Sequence, residues 1–413
     1  MNNSDTPKLR AVDAIPVTYE GRRMLLLRDP LRLTANDVCL PMEAAFLLQF
    51  FDGRRTVLDI KAEFTRQTGS FLYSEELERL IGLLDNCFLL ENETFRNALG
   101  RLQEEFAQSG ERHAFHAGTG YPEDPGELAR LIEGFYGHPE APRATEPKPK
   151  EHVRGFIAPH IDVRSGGPTF AAGYNALKNS ASFPDLFIIL GTGHQGLENL
   201  FACTRKTFVT PFGPVQTDSD FVDRLVSGLP VDLTREELAH RTEHVIEFQL
   251  IFLQHLYAGR HEFQIVPILC SFEPDCLLPR QSDGRAALFA QFVERLGMLI
   301  DRTEKRVCVI ASVDLDHVGP RYGDSFRPDH GTITRHLTED RELLDLLSAG
   351  HTEQFLKDVA CKNARKKICG FSPIYTLMNV LPGVRGELLR LDHTVVDGRG
   401  SFVTYAAMAF YGA

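Results

Sequence analysis

Three short stretches of the 413-residue chain set imidazoles and carboxylates directly after runs of apolar residues. They are Phe156-Ile157-Ala158-Pro159-His160-Ile161-Asp162, Ile188-Ile189-Leu190-Gly191-Thr192-Gly193-His194 and Ile310-Ala311-Ser312-Val313-Asp314-Leu315-Asp316-His317. Each apolar run reads as a buried strand, and open α/β sheets bind ligands beyond the carboxyl ends of their strands. His160, His194 and one aspartate would then form the two-histidine, one-carboxylate set that holds non-haem Fe(II) and leaves positions open for substrate and O2. Asp314 and Asp316 lie two apart and share one side of an extended segment, whereas His317 points away. Either aspartate can serve as ligand, and the other would orient a liganding histidine. A fourth stretch, Thr242-Glu243-His244-Val245-Ile246-Glu247, reads as a helix start. Glu243 and Glu247 share a face there, and His244 and Glu247 can reach one site. His244 beside the metal is expected to give or take protons.

Other motifs compete for the same residues. Gly191-Thr192-Gly193-His194-Gln195-Gly196 satisfies G-x-G-x-x-G after a strand, but Asn199–Val209 reads as strand rather than as the helix that would hold a pyrophosphate. His240-Arg241-Thr242-Glu243-His244 matches H-x-x-E-H of inverted zinc peptidases, which requires both histidines on one helix. Arg241-Thr242 reads as the entry to that helix instead. Glu237-Leu238-Ala239-His240 is half of a di-iron pattern without a second copy.

The elements that must position these groups follow from periodicity. From Val153 onward, apolar runs at 155–158, 186–190, 263–269 and 307–311 alternate with helical stretches at 169–178, 220–227, 244–257 and 286–302. Fully apolar strands separated by helices predict an α/β fold, a sheet covered by helices on both faces. Strand-like pieces return at 387–393 and 401–408. Ahead of this region, 16–30 alternates like a hairpin, and helices are predicted at 42–51, 56–67 and 74–86, which together suggest a small helical or winged-helix binding module. A helix over 95–108 connects the two parts, and the Pro-, Lys- and Glu-rich stretch at 137–151 reads as a solvated loop.

Composition narrows the function classes. With 45 Lys and Arg against 56 Asp and Glu, the net charge of −11 argues against nucleic acid and anionic membranes as partners. No apolar run is long enough to span a bilayer, and the first residues lack the pattern of a signal peptide, so a cytoplasmic location is expected. The eight cysteines form no Cys-x-x-Cys pair, which argues against zinc fingers and redox pairs.

Over Arg112–Ala413 the chain resembles the MEMO family, known in prokaryotes as AmmeMemoRadiSam system protein B. The resemblance lies in Ala117-Gly118 with Tyr121-Pro122, Ala158-Pro159-His160, Leu190-Gly191 through His194, Thr210-Pro211-Phe212-Gly213, Glu243-His244 with Glu247, Ser312 to Gly319, and Cys369-Gly370 with Pro373. MEMO proteins are similar to LigB-type class III extradiol dioxygenases, and their site is associated with iron or copper. The resemblance implies that His160 and His194 are metal ligands. It also implies that Asp316 stands where some members carry Cys and many carry Ser. A carboxylate there favours iron, and a thiolate would favour the softer copper. Val245 replaces a Ser common in the family's E-H-S-x-E stretch. Residues from Met24 to Thr94, with Asp52-Gly53-Arg54-Arg55-Thr56 and Leu83–Leu90, resemble a PqqD-type domain, which presents a peptide to a modifying enzyme, often a radical SAM protein.

The expected organisation is therefore a PqqD-like winged-helix domain over 1–95, a connecting helix over 96–111 and a MEMO-like metal-binding α/β domain over 112–413. The expected activity is that of an Fe(II)-dependent, dioxygenase-like oxidoreductase, with Cu or Zn as alternative metals. His160, His194 and Asp316 would hold the ion. His244, His317, Glu243, Glu247 and Asp314 would handle protons and orientation. A peptide substrate and a radical SAM protein are the expected partners. The competing readings are a non-catalytic peptide- or protein-binding adaptor, and a zinc hydrolase acting through His240 and His244.

Overall fold

The structure is a computed structural model that describes residues 5–34, 36–137, 151–257, 259–278, 284–362 and 366–412. The interior of the loop expected at 137–151 lies outside the described residues. The chain divides into two compact units, Met1–Ser109 and Gly110–Ala413. Among the described residues, no helix is long and apolar enough to cross a membrane.

The first unit has three antiparallel strands, β1 (Asp13–Tyr19), β2 (Arg22–Arg28) and β3 (Val38–Pro41), in the order β1-β2-β3. Four α-helices follow: α1 (Met42–Leu47), α2 (Val57–Thr68), α3 (Ser74–Asn86) and α4 (Glu93–Gln108). The expected hairpin turns at Glu20-Gly21, both with positive φ. Helix α2 begins on a capping box, in which Thr56 and Asp59 satisfy each other's free backbone N–H groups. Val57, Ile60, Leu77, Leu80, Ile81 and Leu84 are buried in one cluster with Phe64 packed against it, whereas Leu58 is exposed.

The second unit runs β4 (Glu111–His113), α5 (Pro125–Tyr136), β5 (Val153–Ala158), α6 (Val163–Lys178), β6 (Leu186–Thr192), β7 (Phe201–Cys203), β8 (Thr207–Thr210), β9 (Gly213–Val215) and α7 (Ser219–Val226). It continues α8 (Val245–Tyr257), β10 (Gln264–Cys270), α9 (Arg285–Arg302), β11 (Val307–Ser312), β12 (His317–Val318), α10 (His330–Ser348), α11 (Thr352–Lys362), α12 (Phe371–Val380), β13 (Arg385–Val395) and β14 (Phe402–Tyr411). Its main sheet has the order β12-β14-β5-β11-β6-β10-β7, with β13 also paired to β14. The four central strands β5, β11, β6 and β10 are parallel, and the outer strands join antiparallel, so the fold is α/β with a mixed sheet.

The central strands read as unbroken apolar runs because both faces are covered. Ile157, Ile188, Leu190, Val309 and Ala311 face one core, closed by residues of α7, α9, α10, α11 and α12. Phe156, Ala158, Phe187, Ile189 and Ile310 face the other, closed by α5, α6 and α8. In the second core Phe252 of α8 stacks on Phe170 of α6 with ring centroids 4.5 Å apart, and on Tyr174 at 5.2 Å.

Parallel register is what serves the site. Ser312 of β11 pairs with Ala158 on one side and Gly191 on the other, so the residues that follow leave the sheet at one level. Replacing Phe252 by Ala removes the centre of the aromatic stack and is expected to cost about 3–5 kcal/mol, read as a lower urea midpoint. An unchanged midpoint would show that this stack does not hold α6 and α8 to the sheet.

Candidate metal centre

His160 and His194 leave the ends of β5 and β6 and meet with ring centroids 5.0 Å apart. His160 is buried, and its Nδ1 lies 3.0 Å from the carbonyl oxygen of Ser312. A carbonyl can only accept, so Nδ1 carries the proton and Nε2 presents its lone pair to the site. Burial, with His194 and His244 nearby, pushes the pKa of His160 well down and keeps the ring neutral. Its backbone N–H and that of Ile161 both donate to Asp314 Oδ1, at 3.0 and 3.1 Å.

His194 is gripped by Glu243. The carboxylate accepts the backbone N–H of His194 at 3.0 Å and faces Nδ1 at 3.1 Å from both of its oxygens, which again leaves Nε2 for another partner. Burial alone would lower the pKa of His194, but Glu243 and Cys369 outweigh it and raise it well above the usual histidine value. Glu243 also accepts the backbone N–H of His244 at 3.0 Å and lies 3.0 Å from its Nδ1. Burial opposes its charge, yet the two histidines hold its pKa well below the ordinary carboxylate value. His244 stacks on His194 with centroids 5.2 Å apart and keeps part of its ring exposed.

The third group at the histidines is a thiol. Cys369 Sγ lies 3.4 Å from His160 Nε2, and one donor atom from each of His160, His194 and Cys369 falls within 4.8 Å of the others. His194, Glu243 and His244 meet the same criterion. Two imidazole nitrogens and a sulfur suit a borderline or soft transition-metal ion, so these residues fit the kind of group expected here. Burial pushes the Cys369 thiol up, which keeps it protonated until a cation displaces the proton.

Asp316, expected as the third ligand, is turned away. Its carboxylate is fully buried, 2.6 Å from His336 Nδ1 and 3.4 Å from Lys366 Nζ, and it accepts the backbone N–H of Lys367 at 3.0 Å. The period-two rule put Asp314 and Asp316 on one side, but β11 ends at Ser312 and the two side chains take different partners. Asp314 Oδ2 stays 3.8 Å from His160 Nε2, and burial raises its pKa to about 6.

Glu247 is likewise removed from proton handling. Its carboxylate is buried in an ion pair with Arg112 and accepts the backbone N–H groups of Phe115 and His116, each at 2.9 Å, and the Tyr121 hydroxyl at 2.5 Å. It ties the 112–121 segment to α8. His317 places Nδ1 3.2 Å from both the Leu315 and Lys367 carbonyl oxygens and packs its ring on Tyr322, outside the two donor groups. His240 ends a single 3-10 turn, Glu237–His240, with Nε2 3.1 Å from the Ala202 carbonyl oxygen. Since α8 starts only at Val245, His240 and His244 do not share a helix and the zinc-peptidase arrangement does not form.

Two groups were not assigned to the centre from the sequence: Cys369 entered only through the Cys369-Gly370 motif, and His116 not at all. Cys369 stands 175 positions after His194, and no strand signal precedes it. A usable sign was Gly370: a Cβ there would come within 2.5 Å of Val313 Cβ and 2.6 Å of the Asp314 carbonyl, so glycine permits the close approach of this segment. His116 packs edge-on against His244, with its Nε2 2.9 Å from the Thr242 carbonyl oxygen.

The glycine motif after β6 has a packing role. A Cβ on Gly191 would overlap Val245 Cγ2, whereas one on Gly193 would meet nothing nearer than 3.5 Å. Gly191→Ala is therefore expected to cost about 1–3 kcal/mol by pushing the start of α8 outward, and Gly193→Ala to cost less. Thermal denaturation of the two variants checks this, and equal losses would refute the close-packing account.

A Memo-like protein family model matches residues 112–409. A MEMO1 family protein of Aquifex aeolicus is 30% identical over 408 residues, covering 98% of this chain and 100% of the relative. One from Thermus thermophilus is 28% identical over 346 residues, covering 82% and 94%. One from Methanopyrus kandleri is 30% identical over 313 residues, covering 73% and 99%.

Proposed function

Because this chain is a member of the MEMO family, we propose that its second unit holds one transition-metal ion on His160, His194 and Cys369 and acts as a metal-dependent oxidoreductase. The observation that carries this reading is the convergence of three donor atoms within 4.8 Å from separate strand ends and a distant segment. Both imidazoles support it by having Nδ1 committed to an acceptor, Ser312 for His160 and Glu243 for His194.

The donor set bears on the metal. The case for Fe(II) rested on a carboxylate ligand, and Asp316 is occupied elsewhere. A sulfur donor beside two imidazoles suits copper better, with iron and zinc as competitors for the same atoms. When bound, such an ion would supply a redox-active or Lewis-acidic centre. The protein supplies the remainder. Glu243 fixes His194 and His244 together, so His244 stands at the partly exposed rim where a proton can be exchanged with a bound molecule. Asp314 holds the backbone of His160, and Ser312 sets its tautomer.

For the first unit, the proposal is recognition of a peptide in company with a radical SAM protein, as the PqqD-type resemblance implies. Its support is an outer strand, β1, paired on one side alone, and exposed apolar side chains at Leu58, Phe71 and Tyr73.

Metal analysis after anaerobic loading with Cu(I), Fe(II) or Zn(II) tests the centre. The wild type is expected to retain about one ion, and His160→Ala, His194→Ala and Cys369→Ser to lose it. His240→Ala, and Asp316→Asn at saturating metal, are expected to retain it. Loss in Asp316→Asn with retention in Cys369→Ser would restore the carboxylate triad. Absence of stoichiometric metal under every loading condition would leave the adaptor reading in its place.

A further inference from the structure

A buried ionic cluster lies beside the centre and has no part in holding the ion. Lys366 Nζ, fully buried, sits 2.5 Å from Asp340 Oδ1, 3.4 Å from Asp316 Oδ2 and 3.7 Å from Glu339 Oε2. Asp340 also accepts the Thr404 hydroxyl at 2.6 Å, and Asp316 faces His336 Nδ1 at 2.6 Å. Charges removed from water in this way are costly unless geometry and hydrogen bonds compensate, so the cluster calls for a purpose beyond stability.

Its connections point to Cys369. Lys366 is three residues ahead of the thiol, and its side chain anchors that end of the segment between two carboxylates. Asp316 then catches the next backbone N–H, that of Lys367, at 3.0 Å, and Asp316 and Ile368 form a bridge. His317 Nδ1 lies 3.2 Å from the Lys367 carbonyl oxygen, and the Gly370 N–H donates to the Asp314 carbonyl at 3.1 Å. On the far side, the Thr192 hydroxyl donates to the Cys369 carbonyl at 3.0 Å. The segment therefore has no strand or helix to define it between Lys366 and Gly370, and takes its position from these side-chain and backbone ties.

We propose that Asp316, locked by Lys366 and His336, is a positioning residue that holds the Cys369 thiol against His160 and His194. The inference rests on the reading of Cys369 as a donor for its consequence at the metal, but its effect on the thiol itself does not need a metal.

The test uses the full chain and two readouts. The first is the rate at which iodoacetamide alkylates Cys369 in metal-free protein, followed on the Cys369 peptide by mass spectrometry with exposed Cys361 and Cys39 as internal references. The second is Cu(I) affinity by chelator competition. Asp316→Asn is expected to speed alkylation of Cys369 on the order of tenfold and to weaken Cu(I) binding by a similar factor, as befits exchange of charge-assisted hydrogen bonds for neutral ones. Asp340→Asn, which weakens the hold on the Lys366 side chain but removes none of the bonds to the backbone of the Cys369 segment, serves as the control for general destabilisation. It is expected to change both readouts far less.

Should Asp316→Asn fail to fold, Asp316→Leu combined with Lys366→Met replaces the buried pair by apolar side chains, an exchange folds often tolerate. The same acceleration is expected there. Alkylation of Cys369 at the wild-type rate in a folded Asp316 variant, or equal effects in Asp340→Asn, would overturn the proposal. Accelerated alkylation in a protein that binds no copper at all would uphold the positioning role and refute the metal reading instead.

Discussion

Asp314 joins the two halves of the candidate centre. Its carboxylate takes the N–H groups of His160 and Ile161 from the end of β5, and its carbonyl takes the N–H of Gly370 behind Cys369. One residue at the end of β11 thus sets the imidazole and the thiol relative to each other. The parallel register makes this possible, because Ser312 is level with Ala158 and Gly191 and the next residues of all three strands emerge together. The cost is a buried carboxylate whose pKa rises to about 6 despite two backbone donors.

The entry to α8 divides two buried carboxylates between separate tasks. Glu243 faces His194 and His244, while Glu247, one turn on, faces Arg112 and Tyr121. Arg112 closes the circuit by donating to the Glu243 carbonyl at 2.7 Å and to the His240 carbonyl at 3.0 Å. The first turn of the helix is thereby bonded both to the rim of the centre and to the 112–121 segment. An unpaired charge at either glutamate would be expensive, so the arrangement fixes the position of His244 more firmly than its partly exposed ring suggests.

The covered sheet was legible because strands buried on both faces leave unbroken apolar runs, and the polar residue that ends each run marks the exit edge. His160 and His194 were legible for that reason. Less was readable where packing overrode local signals. The helical stretch expected at 169–178 starts earlier, since α6 begins at Val163, before Gly166 and Gly167, and is capped by Asp162. The two glycines sit there because a Cβ would collide with Ile161 or Phe135, a reason that exists only in the folded state. Helices α10, α11 and α12 were not anticipated, and they carry the chain past Lys366 and Cys369. Side-chain direction at Asp316 was beyond a period-two rule because β11 ends at Ser312 and the chain then changes partner, pairing with β14 from Leu315 onward.

Exchanging Asp316 for Cys369 as the third donor leaves the formal charge of the proposed centre unchanged, since carboxylate and thiolate each bring one negative charge. What changes is polarisability, and with it the ion that is preferred. A carboxylate beside two imidazoles makes a hard-donor triad suited to Fe(II), whereas sulfur draws the site toward copper. The carboxylate has not been lost from the neighbourhood. It faces Lys366 and His336 and accepts a backbone N–H of the segment that bears the sulfur. A soft donor on a segment without regular structure needs such support, because the thiol offers no hydrogen bond strong enough to fix its own position.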